Sequence, residues 1–157
     1  MILRRGTVPT QRDPGVTTEN GSDPGGLMQF GADVTTLAPG TTSTERHWHS
    51  AEDEFLLVLD GEATVVENDG AHGLGPGDVA CWPAGVANAH HVQNRSSADC
   101  RYLVVGTRPD VDVCRYPDSG RTLSTDPDTW RIVDDATGRV LRSGATPPYP
   151  RVPTAKP

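Results

Sequence analysis

The sequence predicts an all-β domain, a small sandwich or barrel, on three observations. Short apolar runs alternate with turn-forming residues, supplied by 17 Gly and 14 Pro in 157 residues, a texture that suits a turn-rich β protein. No stretch keeps a helical period over three or more turns. Turn signals recur roughly every eight to twelve residues, the spacing of a sandwich or barrel. The length suffices for one domain to close a real core.

Taken in order, residues 1–26 are polar and punctuated by Asp13-Pro14-Gly15 and Asp23-Pro24-Gly25-Gly26, and are expected to form an arm with one short strand. The barrel is expected over 27–106. Gln29 to Leu37 is β-prone and stops at Pro39-Gly40, after which Thr41 to Arg46 leads into a histidine pair. Phe55–Leu59 and Ala63–Glu67 read as two strands of a hairpin joined at Asp60-Gly61-Glu62, because Asp-Gly is a strong hairpin dipeptide. Asn68-Asp69-Gly70 and Leu74-Gly75-Pro76-Gly77-Asp78 read as turns. Val79–Trp82, Ala89–Gln93 and Arg101–Gly106 complete the strands of the barrel. Residues 107–157 form a C-terminal extension, with a hairpin of Trp130–Val133 and Val140-Leu141 and an extended Pro-rich tail at 147–150. No internal repeat is present.

Composition excludes several function classes. A net charge of −7 argues against nucleic acid, whose phosphates demand a basic surface. No apolar run approaches the roughly 20 residues of a membrane span. Met1-Ile2-Leu3-Arg4-Arg5-Gly6 has basic residues but no apolar stretch after them, so no secretory signal is expected. Cys81, Cys100 and Cys114 are odd in number and widely spaced. They read as buried free thiols of a reducing, cytoplasmic protein, and their spacing supports no Cys-rich metal site.

The chemistry lies in His47-Trp48-His49 and Glu54. Residues two apart on a strand share a face, so both imidazoles point one way and Trp48 the other. Glu54 opens the apolar run Phe55-Leu56-Leu57-Val58-Leu59, where an unpaired carboxylate would be costly. Two imidazoles and a carboxylate converging there read as a divalent-metal site. His72 reads as an exposed turn residue, and Asp78 as a turn carboxylate accepting backbone N–H bonds. Trp48, Trp82 and Trp130 read as packing or interface anchors.

The order Gly40, His47-Trp48-His49, Glu54, Gly61, then Gly77, Pro83-Ala84-Gly85, His90 and Asn94 resembles the two motifs of the cupin family, over roughly residues 30–106. The resemblance implies a double-stranded β-helix, a jelly-roll-like small barrel, here with N- and C-terminal extensions. It also implies one divalent metal ion inside, held by three His and one Glu. Two departures stand out. Six residues rather than five separate Gly40 from His47, and Asn88 stands where a count from Gly85 puts the third histidine. Counting back from Asn94 lands on His90, and strand parity groups His90 with Val92 and Asn94. The implied ligands are therefore His47, His49, Glu54 and His90, with His91 the alternative if a bulge shifts the phase.

Such a nitrogen and oxygen set fits Fe(II), Mn(II), Ni(II), Co(II) or Zn(II). The expected function is a metal-dependent enzyme on a small polar metabolite, an oxygenase or an isomerase or lyase working by Lewis-acid polarisation. The alternatives are a binding or sensing module that uses the metal as ligand anchor, and a barrel in which the metal only cross-links strands. If catalytic, the metal should face a pocket walled by Phe55, Leu57, Val65, Val92 and Tyr102. Open sheet edges and apolar residues in the extensions point to a homodimer, with terminal strands packed on the partner.

Overall fold

A computed structural model describes residues 1–4 and 6–146, so the Pro-rich tail at 147–150 lies outside the described residues. The chain runs through β1 (Thr10–Asp13), β2 (Val16–Asn20), β3 (Phe30–Leu37), β4 (Trp48–His49), β5 (Glu54–Asp60), β6 (Ala63–Glu67) and β7 (Gly70–Leu74). It continues through β8 (Val79–Trp82), β9 (His91–Gln93), β10 (Cys100–Thr107), β11 (Asp112–Tyr116), β12 (Arg121–Thr125), β13 (Thr129–Asp134) and β14 (Val140–Ala145). The only helical turn among the described residues is the short 3-10 segment Asp23–Gly25. The fold is all-β, as the sequence predicts.

One wall is a six-stranded antiparallel sheet in the order β1-β2-β3-β10-β5-β8. The facing strands form the group β7-β6-β9 and the group β14-β13-β12-β11-β4. Residues 41–49 stitch these two groups together. Thr42 and His47 bridge to Gln93 and His90, and then Trp48 and His49 pair with Arg115 and Cys114 of β11. The histidine segment is thus held on both sides by backbone hydrogen bonds.

Alternation along the strands builds the core. Leu56 and Val58 of β5, Cys100 and Tyr102 of β10 and Leu37 of β3 are buried, and they pack with Ala63, Val65, Trp82 and Val92. Each Leu or Val fully buried in this way contributes about 1.5–3 kcal/mol. The intervening residues Phe55 and Leu59 are exposed.

Several expectations are corrected. β5 and β6 are not a hairpin: β5 pairs with β10 and β8, whereas β6 pairs with β7 and β9. Asp60-Gly61-Glu62 is a corner where the chain passes from one wall to the other. Gly61 has φ +73°, and a Cβ there would collide with the Asp99 carbonyl, so the corner requires glycine. The true hairpin is β6–β7 across Asn68-Asp69, and His72 lies on its second strand rather than in a turn. The arm holds two paired strands, not one. The C-terminal hairpin is present as β13–β14, but β11 and β12 precede it unforeseen. Cys81 is exposed rather than buried, while Cys100 and Cys114 are buried, and all three are free thiols. No helix among the described residues is long and apolar enough to cross a membrane.

Candidate metal centre

His47, Glu54 and His90 converge on the barrel interior, with their ligand atoms all within 4.8 Å of one another. The His90 Nε2 lies 2.9 Å from Glu54 Oε2, and His49 Nε2 lies 4.0 Å from the same oxygen. His90 is buried with Val92 and Asn94 on one face of the chain. His91 turns the other way, its Nδ1 bonded to the Thr44 carbonyl and its Nε2 near Gln93. The phase survives the two extra residues after Gly85 because they are taken up in a tight turn, in which Asn88 N–H donates to the Val86 carbonyl at 2.8 Å.

The hydrogen bonds outside the site define how each imidazole presents itself. His47 Nδ1 meets the Glu45 carbonyl at 2.9 Å, and His90 Nδ1 meets the Asn88 carbonyl at 3.2 Å. Carbonyls only accept, so these nitrogens carry the proton and leave Nε2 for the interior. His49 Nδ1 is 2.6 Å from the Asp112 carboxylate, which selects the same tautomer. Nε2 of His90 and Oε2 of Glu54 then face each other across 2.9 Å as acceptor against acceptor, so a proton or a cation has to stand between them. This donor set, with three outward-tied rings and one carboxylate, fits a divalent ion.

Without an ion, burial and the neighbouring carboxylates set the charge of these groups. Burial opposes ionisation of Glu54, but the His90 hydrogen bond and the surrounding imidazoles hold its carboxyl below the usual range. Burial lowers the His47 pKa. Burial also works against charge on His49, yet Asp112, Cys114 and Glu52 raise it to about 11. Glu52 is pushed up to about 7, chiefly by its own burial.

Two cavities meet at Glu54. One, of about 170 Å³, is lined by Ser43, Thr44, His47, Glu54, Leu56, Trp82, His90, His91, Val92, Tyr102 and Val104. Of the expected walls, Val92 and Tyr102 are present. Phe55 and Leu57 are corrected to the outer face, since neighbours of inward Glu54 and Leu56 must point outward. Val65 is core packing. The other cavity, of about 250 Å³, is lined by Asp33, Glu52, Glu54, Arg108 and residues around Gly31 and Gly106. Those two glycines are cross-strand partners, and a side chain on Gly106 would collide with the Glu52 carboxylate.

Sequence reasoning missed Asp112, Glu52, Asp33 and Cys114. Cys114 lies with His47 and His49 in a group whose ligand atoms are all within 4.8 Å, a single thiol beside histidines rather than the Cys-rich site that the spacing does not support. Trp82 is more than packing: it stacks on His90 at 3.8 Å and 6°, and its indole N–H donates to Glu67. Asp78 accepts from Gly75 N–H, the turn role expected of it. His72 is exposed and pairs with Asp69.

A family profile for the cupin domain matches residues 33–106. Among solved structures, the chain is similar to a sugar phosphate isomerase from a cupin superfamily of Silicibacter pomeroyi, at 30% identity and TM-score 0.81, covering 88% of this chain and 95% of that one. A candidate sugar phosphate isomerase of Acidithiobacillus ferrooxidans matches at 34% identity and TM-score 0.76, covering 88% and 91%. A polyketide cyclase of Streptomyces resistomycificus matches at 28% identity and TM-score 0.58, over 68% of this chain and 78% of that one. No protein of curated function matches this sequence.

Proposed function

The chain belongs to the cupin superfamily, and from that premise we propose a metal-dependent isomerase-type enzyme acting on a small polyhydroxylated, sugar phosphate-like metabolite. The observation that carries this reading is the set of three imidazoles with Nε2 turned inward beside Glu54, at the meeting point of two cavities. His47, His49, Glu54 and His90 would hold the ion. When bound, it would supply Lewis-acid polarisation of a substrate oxygen. The names of the two sugar phosphate isomerase structures described above favour sugar phosphates over other small polar substrates.

The chain's own residues supply the rest. Asp33 and Glu52 line the cavity beside Glu54 and are carboxyl groups able to exchange a proton with a substrate carbon there. Trp82 and Tyr102 wall the other cavity. Three free thiols accord with a reducing, cytoplasmic setting.

The test is to load the protein separately with Zn(II), Mn(II), Fe(II), Co(II) and Ni(II) and incubate it in D₂O with aldose and ketose phosphates. Proton NMR should show metal-dependent interconversion or loss of the proton beside the carbonyl. Tight binding of these compounds without exchange would make the protein a binding module instead, and oxygen uptake with Fe(II) would make it an oxygenase.

We also propose a homodimer formed by the outer face of the six-stranded sheet. There Val34, Leu103, Leu57 and Val79 form one cross-strand row, and Ala32, Val105, Phe55 and Cys81 the next. Val79 is 52% exposed and Phe55 36%, an apolar surface of the kind that marks an interaction site. Light scattering should give a dimer at roughly tens of micromolar, well above a weak micromolar threshold, and Leu57→Glu should dissociate it. A monomer for the unaltered chain would contradict the assignment.

A further inference from the structure

We infer that Asp112, on β11 and outside the 33–106 segment that matches the cupin profile, is the positioning residue that holds His49 in its metal-binding tautomer. The inference rests on the proposed metal reading and adds a residue to it. Asp112 Oδ2 lies 2.6 Å from His49 Nδ1, with both side chains largely buried. The other carboxylate oxygen is not free to exchange places. Oδ1 accepts from Ala51 N–H at 2.9 Å and from the Ser50 hydroxyl at 3.1 Å. The Ser50 oxygen in turn accepts from Val113 N–H at 2.8 Å, so its proton is directed at Asp112. Two fixed donors therefore clamp one oxygen and aim the other at the ring.

His49 needs this more than its neighbours do. His47 and His90 are tied by backbone carbonyls, which can only accept. His49 depends on a side chain for the same service, and that side chain comes from the strand paired with its own: Cys114 is the register partner of His49. With the Nδ1 proton donated to Asp112, the Nε2 lone pair is turned toward Glu54. The C-terminal extension thereby enters the site, and ion retention depends on it.

The clamp makes an order of effects that mere packing does not. In Asp112→Asn, the amide oxygen must stay on the Ala51 N–H, because an NH₂ group there would oppose a backbone donor. The amide NH₂ then falls against His49 Nδ1 and donates to it, which forces the ring proton onto Nε2, the nitrogen needed by the ion. Asp112→Ala removes the acceptor without putting a donor in its place, and the Glu52 carboxylate, 3.6 Å from Nδ1, still favours the proton there. The near-isosteric Asn variant should therefore bind metal more weakly than the Ala variant, whereas a purely structural carboxylate predicts the reverse.

The experiment measures Zn(II) and Co(II) affinity by chelator competition for wild type, Asp112→Asn and Asp112→Ala, with thermal melts of the metal-free proteins as a fold check. It adds nitrogen-15 NMR of His49 in the zinc form. The expected result is a loss of about 10- to 100-fold for Asn, a smaller loss for Ala, and an Nδ1-protonated His49 in the zinc form of wild type. Wild type that binds with Asn equal to or tighter than Ala, or with Nε2 of His49 protonated in the zinc form, overturns this inference and leaves the metal reading standing. Wild type that binds neither ion overturns both.

Discussion

Replacing His90 with alanine is expected to abolish stable metal retention, while His91→Ala leaves metal content near that of the unaltered chain. The contrast follows from where the two rings lie. His90 is 4% exposed with Nε2 at 2.9 Å from Glu54, and it is stacked under Trp82. His91 spends its ring nitrogens on Thr44 and Gln93. Losing a direct nitrogen should cost more than the roughly 10- to 100-fold that removal of an outer partner costs. Metal analysis after gel filtration reads the difference directly. Metal lost from the His91 variant and kept by the His90 variant would reverse the assignment.

Asn94→Ala should be among the most destabilising single changes in the barrel. The Asn94 amide is 1% exposed and satisfied on every side. Its Nδ2 donates to the Leu37 and Ala98 carbonyls at 2.8 and 2.7 Å, and its Oδ1 accepts from the Ser96 backbone and hydroxyl. Truncation leaves the buried Leu37 carbonyl and the Ser96 N–H without these partners, at about 1–3 kcal/mol for each one that water cannot reach, while the Ser96 hydroxyl keeps its bond to the Ala98 carbonyl. A net loss of about 3 kcal/mol, or a fall in Tm on the order of 10 °C, is expected. Asn94→Asp should lose nearly as much, since it keeps the size but sets an oxygen against the Leu37 carbonyl. A melt within about 2 °C of wild type for both variants would contradict this account.

The barrel was legible because its information is local: alternation in Phe55–Leu59 and Arg101–Gly106, and glycine and proline at the turns. The errors come where distant pairing decides. Asp60-Gly61 is good hairpin chemistry, but whether two strands fold back or change walls depends on β10 and β9, some 40 and 30 residues on. Asp112–Tyr116 and Arg121–Thr125 are short and half polar, and they become strands through pairing with β4 and β13.

The site divides in the same way. His47, His49, Glu54 and His90 stand in one compact pattern, and the count back from Asn94 together with strand parity separates His90 from His91. Parity applied to Glu54 would also have excluded Phe55 and Leu57 from the pocket. The stretch Asp112–Asp118 resembles a subgroup of single-domain cupins, but nothing local gives Asp112 a role in the site, because its partner His49 lies 63 residues earlier. Asp33 and Glu52 become site residues through the cross-strand glycines Gly31 and Gly106, a juxtaposition that exists only in the folded sheet.

His47, His49, Glu54 and His90 are proposed to form one divalent-metal site. The most direct measurement is elemental analysis of protein purified without chelator, followed by titration of the stripped protein with Zn(II), Mn(II), Fe(II), Co(II) and Ni(II). Saturation is expected at about one ion per chain, removed by Glu54→Ala. A stripped protein that takes up none of the five ions, or that binds them equally well without Glu54, would contradict it.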